Sequence, residues 1–131
     1  MKRELDVVAA LIKGGDSFLL CQRKADDYYA NLWEFPGGSV EEGEEFSFAI
    51  EREIKEELGL NIKAHNMLNE FCDENESLKI KVFLFNCSIE SGSPAAIECQ
   101  DFGFFSIKEA LKLNLAPVDR KILEYLRAPY F

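Results

Sequence analysis

Glutamate crowds one stretch of this chain. Eight glutamates fall between positions 41 and 57, and only Arg52 and Lys55 answer them. On a helix at about 100° per residue, Glu53, Glu56 and Glu57 lie within about 100° of arc, so three carboxylates share one stripe. The apolar stripe Phe46, Ile50, Ile54 and Leu58 begins beside Glu53 and Glu57. Those two groups therefore stand at the edge of a core rather than in open water. Partial desolvation sharpens their repulsion, and equally the gain from a cation held among them. A hard divalent ion such as Mg²⁺ takes oxygen ligands of this kind, commonly a few carboxylates together with substrate phosphates. The chemistry on offer is cation-assisted work on a phosphorylated compound.

Composition frames the same reading. At 131 residues the chain is expected to form one domain, 1–131, able to bury a core without disulfides or a structural metal. Apolar residues make up 47% and charged residues 30%, an ordinary soluble balance. No apolar run approaches the roughly 18 residues of a membrane span, so no membrane partner is expected. The start MKRELDVVAALIKGG is interrupted by Glu4 and Asp6, and no signal peptide is read in it. A net charge of −9 argues against a polymeric nucleic-acid partner, which calls for a basic face. It leaves room for polyphosphate if divalent cations stand between the two sets of negative charge. Cys21, Cys72, Cys87 and Cys99 are widely spaced without a CxxC pair. They read as free thiols in a reducing, cytoplasmic setting, although their even number leaves pairing open. Composition does not fix an oligomeric state.

The elements that must position the glutamates follow from hydrophobic periodicity. DVVAALI and SFLLCQR read as a hairpin joined through Lys13, Gly14, Gly15 and Asp16. RKADDYYANLWEFPGG reads as a polar loop. Residues 44 to 58 are predicted to be helical, with apolar residues every fourth position, Glu44 opening the helix and Gly59 stopping it. NIKAHNMLNEF and LKIKVFLFNCSI are two strands around the turn CDENES. In the second, Ile80, Val82 and Leu84 face one way and Phe83 and Phe85 the other. A short strand, DFGFFSI, precedes a capping box of Ser106 and Glu109, which opens a helix through about Leu113. Pro117 sits where a last helix, VDRKILEYLRA, begins. The order predicts an α/β fold, a mixed central β-sheet sandwiched between α-helices.

The glutamate run also has a grammar. Gly38, five residues, Glu44, seven residues, then Arg52-Glu53-Ile54-Lys55-Glu56-Glu57-Leu58-Gly59-Leu60 fills every fixed position of the Nudix box. Seven fixed residues at background frequency match by chance on the order of 10⁻⁹ times per start site, so a plain solvated helix face is the weaker reading. The chain resembles the Nudix hydrolases. The LWEFPGG approach and the tail LNLAPVDRKILEYL are similar to the MutT-like branch, in particular to bacterial CTP pyrophosphohydrolases and 8-oxo-dGTP diphosphatases. Ser39 departs from the lysine that many of these relatives carry after the two glycines.

Carried over by position, the resemblance implies that Glu53, Glu56 and Glu57 hold Mg²⁺, with Mn²⁺ as a possible substitute. A backbone carbonyl of Gly37 or Gly38 is the implied further ligand, glycine leaving room for close approach. Arg52 is expected to pair with glutamates and orient them. Glu98 is at a place comparable to a glutamate that reaches the metals or activates water in MutT-like relatives. Arg23 is a candidate phosphate contact. Asp119 matches a position that reads the base edge, and the backbone of Phe35 is expected at the same place. Trp33, Tyr28 and Tyr29 are candidates for stacking on the base, though packing is the commoner role for such rings. His65, without a metal-ligand partner in sequence, reads as an ordinary polar strand residue.

The implied activity is hydrolysis of a nucleoside triphosphate to the monophosphate and diphosphate. The proton acceptor stays open among Glu56, Glu57 and Glu98. So does the base, among CTP, dCTP, a methylated cytosine nucleotide and 8-oxo-dGTP. Other Nudix substrates, ADP-ribose or a dinucleoside polyphosphate, form the alternative. The absence of proline between Asn61 and Glu90 disfavours the ADP-ribose branch. A non-catalytic ligand sensor of the same fold is a third reading, disfavoured by the complete set of box glutamates.

Overall fold

The computed structural model describes residues 2–27 and 29–128. Seven strands and three helices are formed among them: β1 (Arg3–Gly14), β2 (Ser17–Gln22), β3 (Trp33–Glu34), β4 (Gly37–Ser39), α1 (Phe46–Leu58), β5 (Asn61–Glu74), β6 (Leu78–Ser91), β7 (Asp101–Phe105), α2 (Ile107–Ala110) and α3 (Pro117–Leu126). The strands form one mixed sheet in the order β3-β2-β1-β6-β5, with β4 alongside β1 and β7 alongside β2. β1 and β6 run parallel from Arg3↔Leu78 to Ile12↔Cys87. The other pairings are antiparallel.

The apolar run of β1 explains its central place. Val8, Ala10 and Ile12 enter one core cluster, with Ile50, Ile54 and Leu58 of α1. Ala9 and Leu11 enter the other, with Ile122, Leu123 and Leu126 of α3. A strand buried on both faces has no polar side to show, and so reads as a continuous apolar segment. β6 divides the same way: Val82 and Leu84 lie in the α3 cluster, while Phe85 lies in the α1 cluster and Phe83 packs against it. The mixed sheet between helices agrees with the fold read from the sequence.

Three local expectations need correction. The segment 23–38 is not all loop. Its end forms β3 and β4, because β2 leaves the edge of β1 after the hairpin and β4 takes the vacated edge at Val7, Val8 and Ala9. Helix α1 starts at Phe46, not at position 44. Glu44 belongs to the preceding turn, where its Oε1 accepts from the Glu41 N–H at 2.9 Å and Gly43 takes φ 77°. Helix α2 is a single turn. After Leu111 the bonds tighten to Lys112 N–H→Glu109 O and Leu113 N–H→Ala110 O, and the helix does not continue. The Ser106–Glu109 capping box, Pro117 at the start of α3 and Gly59 at the C-terminus of α1, at φ 70°, all stand as expected.

Candidate active site

Helix α1 lays its apolar face on the sheet, and this geometry sets the depth of each box glutamate. Glu57 is next to buried Leu58 and sinks with it, Glu53 lies halfway, and Glu56 projects outward with 47% of its side chain exposed. Burial, and next the charge of Glu34, pushes the Glu57 carboxyl up to about 8. Burial also raises Glu53, against the pull of Arg52. Glu57 Oε1 is sealed from solvent and has no hydrogen-bond partner.

Arg52 organises the stripe. Its Nε and Nη2 donate to the two oxygens of Glu44 at 2.7 and 2.9 Å, and Nη1 donates to Glu53 Oε1 at 2.9 Å. Nη1 lies 3.4 Å from both oxygens of Glu56, and Nη2 reaches the Ser39 carbonyl at 3.2 Å. These bonds from Arg52, followed by the Glu41 N–H, hold the Glu44 carboxyl down at about 2. Glu44 therefore supports Arg52 instead of the helix dipole. The carboxylate of Glu53 rests on Gly38, in the space that a Cβ at that position would fill. Gly37 has a different reason to be glycine: a Cβ there would run into the backbone of Val8 and Ala9 on β1.

The loop between β6 and β7 brings Glu98 to the end of α1. The N–H groups of Ile97 and Glu98 both donate to the Glu57 carbonyl, at 3.2 and 3.1 Å, which anchors exposed Glu98 at the helix end. Its charge also raises Glu53.

On the other side of Gly37 and Gly38 a cavity of about 180 Å³ opens. Arg23, Tyr29, Phe35 and Asp119 all line it. Trp33 exchanges backbone hydrogen bonds with Asn114 and Ala116, at 2.8 and 3.0 Å, and this fastens the start of α3 beside β3. As a result Asp119, 5% exposed, accepts from the Phe35 N–H at 2.9 Å through Oδ1. Burial and the nearby charge of Glu34 hold the Asp119 carboxyl well above the usual carboxylate range. The N–H of Phe35 is thus engaged within the protein. Arg23 pairs with Glu34 at 2.9 Å and Asp27 at 3.1 Å. Trp33 packs edge-on against Phe105, with ring centroids 5.1 Å apart, and belongs to the core. Tyr28 lies outside the described residues. His65 meets Ser88 Oγ at 2.8 Å on the sheet and takes no part in the site.

Some residues of the site escaped the sequence reading. Glu34 pairs with Arg23, and its charge bears on both Glu57 and Asp119, so it links the two halves. The position falls in the quoted LWEFPGG segment, yet a lone glutamate between aromatic residues carries no spacing signal. Cys21 and Cys99 are buried in the same core cluster as α1, and both bear on the Glu57 carboxyl, Cys21 lowering it and Cys99 raising it. Asp73, near the end of β5, lines the cavity.

Whether a divalent cation suits the glutamate stripe is tested by its donors. Among the described residues no three acidic, cysteine or histidine side chains yet converge as a finished metal site. The donor set nevertheless fits one: the donors are all oxygen, Glu57 Oε1 is buried with no partner, and Gly38, lacking a Cβ, lets the Glu53 carboxylate rest against its backbone.

A glutamate-bearing helix packed on the sheet, the glycine strand β4 and the cavity beside it together form the candidate site. Comparisons with known proteins give the family. The NUDIX domain model matches residues 2–126, and the chain belongs to that family. It is an enzyme of the Nudix hydrolase class, which acts on phosphoric anhydride bonds. The chain is 36% identical over 124 residues to a protein named CTP pyrophosphohydrolase from Escherichia coli strain K12, covering 95% of this chain and 92% of that protein. It is 35% identical over 85 residues to an 8-oxo-dGTP diphosphatase of Buchnera aphidicola subsp. Schizaphis graminum, covering 65% and 63%. The solved structure of the E. coli ORF135 protein superposes with a TM-score of 0.82 at 35% identity, over 97% of this chain and 93% of that one. No helix among the described residues is long and apolar enough to cross a membrane.

Proposed function

We propose that this chain, acting as one domain, hydrolyses a nucleoside triphosphate to the monophosphate and diphosphate with Mg²⁺, or Mn²⁺ in its place, as cofactor. The orphaned Oε1 of Glu57 carries the proposal: a buried acceptor without a donor calls for a positive ligand at that spot. Glu53, Glu56 and Glu57, with a carbonyl of Gly37 or Gly38, hold the ion. When bound, it supplies positive charge against the phosphates and acidifies the attacking water. Arg52 orients Glu53 by donating to it while Glu44 anchors the guanidinium. Glu56, Glu57 or Glu98 accepts the proton of the water. Arg23, held by Glu34 in the cavity lining, meets phosphate, while Phe35 and Asp119 border the base.

The cytosine nucleotides CTP and dCTP are the favoured substrates, since the match to the protein named CTP pyrophosphohydrolase spans nearly the whole chain. The shorter match to an 8-oxo-dGTP diphosphatase makes 8-oxo-dGTP the second reading. Free cysteines at all four positions suit a cytoplasmic setting. The test is a panel of CTP, dCTP, 5-methyl-dCTP, 8-oxo-dGTP and ADP-ribose with Mg²⁺, read as diphosphate or phosphate released. Turnover of a triphosphate is expected, falling at least about 10²-fold in Glu57→Gln. Turnover of ADP-ribose alone overturns the proposal.

A further inference from the structure

We propose that Asp73 is a second base-reading residue, which with Asp119 selects nucleobases bearing an exocyclic amino group over uracil. The inference rests on the nucleotide reading above and deepens it. Both carboxylates line the cavity of about 180 Å³, whose walls include Val7, Ile80, Val82 and Val118. Whole-ligand pockets run to about 300–1,000 Å³, so this one takes a single ring of the ligand and leaves the phosphates to the glutamate helix.

The sheet places Asp73 at the far end from the phosphates. Strands β4, β1, β6 and β5 are consecutive neighbours. At about 4.8 Å per strand, β5 runs about 14 Å from β4, which carries Gly38. Asp73 is opposite Ile80, and Ile80 is opposite Leu5, three residues along β1 from the Val8 that faces Gly38. A triphosphate anchored at Gly38 and α1 thus presents its base, not its sugar, to Asp73. Helix α3 is stitched to the same spot, because Lys121 Nζ donates to the Cys72 carbonyl at 2.6 Å.

The hydrogen-bond accounting points to a ligand donor. Asp73 is half-buried, and no hydrogen bond or ion pair to its side chain occurs among the described residues. Asp119 has Oδ1 engaged by the Phe35 N–H, and no other residue hydrogen-bonds its side chain among the described residues. The Asp73 carboxylate, beside apolar walls, gains most from a partner that brings N–H. Cytosine, adenine and guanine each carry an amino group, whereas uracil offers a carbonyl at the place of the cytosine amine. A carboxylate facing that carbonyl sets acceptor against acceptor.

Binding of CMP, AMP, GMP and UMP to the metal-free protein, by calorimetry or NMR titration, separates this inference from catalysis. The wild type is expected to bind the best of the three amino-bearing monophosphates at least about tenfold tighter than UMP. Asp73→Asn keeps the shape, exchanges one acceptor for a donor, and is expected to remove that preference while UMP binds equally or better. Asp73→Ala, checked for an unchanged melting temperature, should lose the preference without a gain for UMP. An equal fall for all four nucleotides overturns the proposal, as does a loss that follows the ribose hydroxyl when CMP is compared with dCMP. No preference in the wild type overturns it too. Base preference without hydrolysis of any triphosphate would defeat the hydrolase reading alone. Hydrolysis with an unaltered preference in Asp73→Asn would defeat this inference alone.

Discussion

Arg52 grips Glu44 through two parallel hydrogen bonds, of 2.7 and 2.9 Å, from a position eight residues further along the chain. The same guanidinium holds Glu53 at 2.9 Å, so one cation ties the turn before α1 to a carboxylate of the site. A planar fork is needed for that double grip, and lysine lacks one. Arg52→Lys is expected to lower kcat about 10- to 100-fold, the usual effect of removing the group that orients a ligand. Steady-state kinetics with Mg²⁺ varied checks it. Unchanged kcat at every Mg²⁺ concentration would reduce Arg52 to a surface pair.

The two glycines should separate in their effects. A Cβ at Gly37 meets the backbone of β1, which cannot give way, and Gly37→Ala is expected to destabilise the fold by about 1–3 kcal/mol. The nearest atoms to a Cβ at Gly38 are those at the end of the Glu53 side chain, which can swing aside. Gly38→Ala should therefore unfold near the wild-type denaturant midpoint while activity falls. Equal destabilisation by both substitutions would contradict the contacts described.

Burial of Glu57 makes stability depend on pH. Its carboxyl stands at about 8 in the fold against 4.5 for an ordinary glutamate. Between those values the folded chain keeps a proton that the unfolded chain has released. Stability from this group is therefore full below about 4.5, and falls by up to about 1.4 kcal/mol per pH unit as pH rises toward 8. Metal-free protein should melt lower at pH 8 than at pH 5, and Glu57→Gln should flatten the slope. Asp119 and Glu34 shift in the same direction, so some slope should persist in the variant. Parallel slopes in the two proteins would count against a buried, uncompensated Glu57.

Millimolar Mg²⁺ or Mn²⁺ should raise the melting temperature, because an ion bound only by the folded state stabilises it. The rise should shrink in Glu53→Gln, which leaves α1 intact and removes one charged oxygen. A thermal shift that is the same size in the variant would move the ion elsewhere.

Much of the candidate site was legible because its arrangement is written in local spacing. Glu53, Glu56 and Glu57 share a helix, and 3.6 residues per turn fixes their common stripe without any tertiary information. The apolar positions of α1, the two-sided run of β1 and the alternation in β6 likewise carry their own geometry. The start of α1 was misread because Glu44 makes its bonds to Arg52 and Glu41 outside the helix, and competition between those partners and a helical turn leaves no mark in the sequence. β3 and β4 were missed for a related reason: strands of two or three residues are made by their neighbours, not by their own periodicity.

The sequence by itself determined the sheet-and-helix order, the glutamate stripe and the family grammar, since each depends on residues close together in the chain. Tertiary structure alone decided which glutamate is deep, that Glu34 stands between Glu57 and Asp119, and that Asp73 and Asp119 border one cavity. Phe35 and Asp119 are 84 positions apart and meet at 2.9 Å. Contacts of that kind depend on how β3 and the start of α3 are fastened side by side, and burial, which sets the charge of each carboxyl, exists only once the layers have packed.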